Sequence, residues 1–134
     1  MNAGRGLAEY GTNDVLAMSP AQRVVFLYTH LVASLRRAQR CLAGGDIEGR
    51  SNALCRAQVI VQELLAALDR DAGGEVAARL AALYGYFATE IIAIDAQRDA
   101  VRLERLTAMV TPLLGAWQQA AQIADGAPRQ AASA

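Results

Sequence analysis

Lysine is missing from this chain of 134 residues: all thirteen basic side chains are arginine, and thirteen Asp and Glu residues balance them to zero net charge. Neutrality removes the phosphate-neutralising attraction behind most non-specific nucleic-acid affinity, so DNA or RNA is not expected as a partner. Aromatic residues are scarce at 5%, and the single histidine, His30, leaves little for acid–base or metal chemistry. The two cysteines, Cys41 and Cys55, lie far apart without a histidine near either, which excludes a zinc site and leaves both as small apolar helix residues. No unbroken apolar run reaches the roughly 20 residues that cross a bilayer. The opening Met1-Asn2-Ala3-Gly4-Arg5-Gly6-Leu7 also lacks the apolar stretch of a signal peptide. No membrane insertion is expected, and the expected location is the cytoplasm.

Alanine, by contrast, fills 29 positions of a chain that is 54% hydrophobic. Such a composition favours helix and supplies one domain with enough apolar surface for a core. Ser19-Pro20 predicts a helix start, the hydroxyl accepting from an orphan amide while proline occupies a position where a missing N–H costs nothing. The first helix is predicted over 20–42, with Val24, Leu27, Tyr28, Leu31 and Leu35 on one face and Gly44-Gly45 as its stop. Asp46 is the expected cap of a second helix over 47–68, striped by Leu54, Val61, Leu65 and Leu68. After a turn at 69–74, a third helix is predicted over 75–95 with Val76, Leu80, Leu83, Tyr84, Phe87, Ile91 and Ile94 inward. Asp99 is the expected cap of the fourth, which runs to about Gln122, carries Leu103, Leu106, Val110, Leu113 and Trp117, and is expected to kink at Pro112. Helices of this length with short connections predict an all-α, antiparallel up-and-down four-helix bundle over 19–122. The apolar but glycine-broken segment 1–18 is expected to dock on it as a lid, and 123–134 is expected to be a flexible tail.

No constellation of catalytic groups is visible. His30 lacks the glutamate three residues before it that a metal-binding bundle helix would carry, and it lacks basic neighbours to hold a phosphate. Glu63 and Glu90 each stand alone on their helices, and the glycine pairs lack the strand and lysine of a phosphate loop. No enzyme activity, catalytic residue, metal or cofactor is expected. Apolar surface is instead in surplus. The face from Ile60 through Leu64 to Leu65 is broader than a simple seam, and Phe26, Val59 and Ile92 point away from their own stripes. That excess predicts a groove for an amphipathic partner segment.

These residues resemble the flagellin-specific export chaperones of the FliS family, from about Tyr10 to Trp117. The resemblance is carried by Tyr10, Met18-Ser19-Pro20, Leu27-Tyr28, Gly45-Asp46, Ala57-Gln58 and Leu68-Asp69. It is strongest at Gly73-Gly74-Glu75-Val76-Ala77, Leu80 and Leu83-Tyr84-Gly85-Tyr86, with Ala116-Trp117 near the end. Thr29-His30, Ile94-Asp95 and Pro112 depart from the family pattern. The resemblance implies a cytoplasmic, non-enzymatic chaperone that binds the carboxy-terminal segment of flagellin one to one, prevents its premature polymerisation and presents it to a component of the flagellar type III export gate. The expected partner-binding residues are Leu7 and Tyr10 on the lid and Phe26, Val59, Ile60, Leu64, Tyr84, Phe87 and Ile92 on the bundle. Two other readings stay open: a phosphotransfer module using His30, and a homo-oligomer that buries Phe26, Val59 and Ile92. A homodimer also stays open as the flagellin-free state.

Overall fold

The computed structural model describes residues 17–133, with side chains through residue 126. Leu7 and Tyr10, the expected lid anchors, lie outside the described residues. Among these, the elements are α1 (Pro20–Ala43), α2 (Ile47–Ala66), α3 (Arg70–Gln97) and α4 (Ala100–Ser133). They form the expected all-α four-helix bundle, each helix antiparallel to the one before it.

The helix starts follow the predicted caps. Ser19 and Gln22 form a reciprocal capping box, the Gln22 N–H donating to Ser19 Oγ at 3.1 Å and the Ser19 N–H donating to Gln22 Oε1 at 3.0 Å. Asp46 accepts from the Gly49 N–H at 2.8 Å and Asp99 from the Arg102 N–H at 3.0 Å. Asp69 opens α3 by accepting from Ala72 at 3.0 Å, several residues before the predicted start. This first turn is set off from the rest of α3 by Gly74, whose φ of 54° and ψ of −127° are not helical. The main run of α3 therefore begins at Glu75, as its sequence predicts.

The carboxy ends differ more. α2 stops at Ala66 rather than Leu68, whereas α4 continues through Ser133 instead of ending near Gln122. Extending an existing helix is far easier than nucleating one, so an alanine-rich stretch can follow the preceding turns. The helix is unbroken across Pro112. Thr107 and Thr111 donate their hydroxyls to Leu103 O and Thr107 O in the preceding turn, at 2.8 and 2.6 Å.

Fully buried Leu31, Leu35, Leu54, Ile60, Ile94 and Leu103 make the core. Each such side chain contributes about 1.5–3 kcal/mol by leaving water. α1 packs closely on α2 and α4, while α3 meets α2 less extensively and α4 least of all. Gly49 permits the tight approach of α1 and α2, since a Cβ there would come within 2.8 Å of Cys41 Sγ. α3 also contains an 18-residue stretch of mean hydropathy 1.3, long and apolar enough on composition alone to cross a bilayer. A search for unbroken apolar residues does not single it out. Here it packs as a bundle helix and sets Glu90 against an arginine of α4.

Candidate partner-binding surface

The two ends of the bundle are built differently. At the end holding the α1–α2 and α3–α4 connections, polar side chains tie helices together. Arg50, only 6% exposed, donates through Nε to Asp95 Oδ1 at 3.0 Å, and Ser51 donates to the other oxygen, joining α2 to α3. Arg102 donates two bonds to Glu90 at 2.8 and 2.7 Å, joining α4 to α3 in the planar fork that arginine makes with a carboxylate. These bonds hold the Glu90 carboxyl below the usual carboxylate range against the opposing effect of burial.

At the opposite end the core closes less completely. Val24, Leu65, Leu68, Leu80, Leu83, Leu113 and Trp117 are half-buried against it, and Val76 is 66% exposed. Val76 belongs to the predicted inward stripe of α3 but sits in the first turn after Gly74, where the described residues leave it uncovered although the periodicity is right. Behind these residues lies a buried polar pair: Tyr28 donates its hydroxyl to Tyr84 at 3.2 Å. The Trp117 ring lies beside Tyr28, its centroid 6.0 Å from that of Tyr28. Burial pushes both phenols above their ordinary range, so they remain protonated donors. At this end too, a cleft of about 750 Å³ between α1 and α4 is lined by Gln22, Val25, Gln118, Ala121, Gln122, Asp125 and Gly126. Ser19 Oγ donates across the end of that cleft to Asp125 Oδ1 at 3.0 Å.

The residues expected to bind a partner fall into three groups. Ile60, Leu64, Tyr84 and Phe87 lie in the core, at most 2% exposed, facing one another rather than an open groove. Val59 and Ile92 are exposed, at 44% and 65%. Phe26 is half-buried with its ring centroid 4.5 Å from that of His30. Cys41 beside Gly49 and His30 in the field of Arg56 fix the α1–α2 register, which brings Phe26 and Val59 to one outer seam. Ile92 stands apart on α3. Tyr86 and Met109, 46% and 42% exposed, add apolar surface to α3 and α4 that sequence reasoning did not single out. Their signal was weak, since a residue at the edge of a stripe is inside or outside only once the neighbouring helix is placed.

Among the described residues no three His, Cys, Asp or Glu side chains come together as a metal site, and Cys41 and Cys55 are free thiols. His30 has its pKa lowered, first by desolvation and then by the positive charge of Arg56, which disfavours the imidazolium. What the site can do is exchange half-covered apolar contacts for those of a partner.

The chain is similar to known proteins over most of its length. The family model described as Flagellar protein FliS matches residues 3–124. The flagellar secretion chaperone FliS of Salmonella typhimurium is 31% identical over 106 residues, covering 78% of each chain. The protein of the same name from Bacillus subtilis is 29% identical over 113 residues, 84% of each chain. That of Escherichia coli is 24% identical over 124 residues, 89% of this chain and 91% of its own. With a family model that spans nearly all of it and a relative 31% identical over 78% of its length, this chain belongs to the FliS family of flagellar proteins.

Proposed function

We propose that this chain is a cytoplasmic, non-enzymatic secretion chaperone that binds the carboxy-terminal helical segment of flagellin, one to one. Masking that segment keeps flagellin from polymerising inside the cell, and the complex is passed to the flagellar type III export gate. The observation that carries the reading is the incompletely closed end of the bundle, where seven half-buried apolar residues and Val76 lie around the Tyr28–Tyr84 pair. An amphipathic segment laid across that end would cover these side chains, each adding the free energy of the area it removes from water. Ile60, Leu64, Tyr84 and Phe87 lie behind the seat and form its floor where the helices part, while Phe26, Val59 and Ile92 extend it along the flanks. The amino-terminal segment, anchored by Leu7 and Tyr10, covers the seat until flagellin displaces it.

Calorimetric titration with a flagellin carboxy-terminal fragment tests the proposal. Binding should be one to one with a negative heat-capacity change, the sign of apolar burial, and should depend little on salt. Equal binding by a flagellin that lacks its last helical segment would overturn it.

A further inference from the structure

One flank of the molecule carries arginines that make no ion pair within the fold. Arg36, Arg37 and Arg40 are exposed near the carboxy end of α1. At 100° per residue they share an arc of about 100° on its outer side, within about 6 Å along the axis. In the register set by Gly49 of α2 beside Cys41 of α1, Arg56 of α2 comes level with about residue 34 of α1 and joins them across the seam. Among the described residues, the ion pairs are made by Arg50, Arg79 and Arg102, whereas Arg36, Arg37, Arg40 and Arg56 make none. Helix-dipole compensation accounts for one of them, Arg40, in the last turn of α1. The rest gather like charge on a neutral protein, an arrangement that costs free energy unless a partner neutralises it.

The surroundings define the ligand. None of the described acidic groups on the neighbouring elements pairs with these arginines: Asp46 is occupied as the cap of α2, Glu48 lies in the first turn of α2, Glu63 lies further along it, and Glu104 is on α4. Beside Arg56, three residues on, Val59 is 44% exposed, and Ala33 of α1 is exposed opposite. The surface is therefore a short basic platform that turns apolar at one edge. A nucleic acid strand presents charge along its whole length and would meet the carboxylates of these elements on leaving the platform. A peptide can place carboxylates on the arginines and an apolar side chain on the adjoining edge.

We propose that Arg36, Arg37, Arg40 and Arg56 dock an acidic, amphipathic segment of a partner protein, with carboxylates on the guanidinium forks and a bulky apolar residue against Val59 and Ala33. Arginine suits this role because its planar fork pairs with a carboxylate through two parallel hydrogen bonds. The arginines span about 6 Å along α1 and the platform with its apolar edge at Ala33 about 10 Å, which limits the whole docked segment to about two helical turns. The arginines lie along the outer flank of α1 and α2, away from the half-open end assigned to flagellin, and Val59 alone belongs to both surfaces.

The test uses a fluorescein-labelled synthetic peptide with glutamates on two successive turns followed by leucine and phenylalanine, and follows both its anisotropy and the amide shifts of the full chain. It should bind with shifts gathered on 33–40 and 52–59. The Arg36→Glu/Arg37→Glu/Arg40→Glu variant should bind it at least about tenfold more weakly, as should a rise in salt, since exposed ion pairs are individually weak and screened. A peptide with arginine in place of its glutamates should bind that variant and not the natural chain. If the triple variant does not fold, Arg36→Gln/Arg40→Gln reports the same loss with less charge change. Equal binding of a glutamine-substituted peptide, unchanged binding by the variants, or preference for single-stranded RNA or anionic phosphatidylglycerol vesicles would overturn the proposal. The variants should still titrate the flagellin fragment normally, so failure at this surface is distinguishable from failure at the other.

Discussion

Removing either hydroxyl of the Tyr28–Tyr84 pair leaves the other buried without its partner, whereas removing both leaves no orphan. Tyr28 donates to Tyr84 at 3.2 Å, the two residues are 0% and 2% exposed, and the Trp117 ring lies beside that of Tyr28 with 6.0 Å between centroids. An unsatisfied buried polar group costs about 1–3 kcal/mol, so Tyr84→Phe and Tyr28→Phe should each cost about that much. The double variant should cost no more than either single one, giving a coupling of about 1–3 kcal/mol in the double-mutant cycle. Urea unfolding followed by circular dichroism supplies all four free energies. A double variant costing the sum of the two would refute the reading of the pair as a mutually satisfied buried bond.

Three further outcomes rest on separate features. Gly74→Ala should destabilise the fold by about 1–3 kcal/mol through its backbone conformation, since no atom crowds a Cβ there. Gly85→Ala, equally uncrowded but inside a helix, should stabilise it by about 0.5–1 kcal/mol, and opposite shifts in melting temperature check the pair. Glu90 has its pKa lowered in the folded state by Arg102, so its contribution is present above the unfolded carboxyl value of about 4.3 and is lost as pH falls through and below it. Glu90→Gln should flatten the fall of the urea midpoint below about pH 5, and an unchanged slope would count against the pairing. For His30 the lowered pKa means that the unfolded chain takes up a proton first, so stability declines as pH drops through about 6.5. Its imidazole resonances should titrate below that value, and a midpoint at or above it would contradict the effect of burial and Arg56.

Local chemistry made much of this fold legible. Ser19, Asp46 and Asp99 cap helices because a short polar side chain before an apolar stripe has few better uses, and Gly74 takes the positive φ that a helix restart after Asp69 requires. Depth was not legible. Ile60, Leu64, Tyr84 and Phe87 lie on a broad apolar face, but their full burial depends on the sides from which α1 and α4 approach, which no single helix encodes. Cross-helix polar pairs were hidden for the same reason: Arg50 with Asp95 and Glu90 with Arg102 lie on different helices, and only the register brings them together. The arginine platform, conversely, is partly written in sequence, since Arg36, Arg37 and Arg40 are near neighbours. Only the structure adds Arg56 to them.

The tie between Glu90 and Arg102 makes α3 a lever. From that tie to Gly74 the helix extends about 24 Å without another ion pair to a neighbouring helix, and the glycine at its far end places little resistance on a change of direction. Rotation by about 10° about this fulcrum would displace the free end by about 4 Å, close to the width of a methyl group, while the tied end moved hardly at all. Any such swing would have to break the Tyr28–Tyr84 bond and move the Ala88 carbonyl away from Gln58, so the room around Tyr28 and Trp117 is governed by those two contacts.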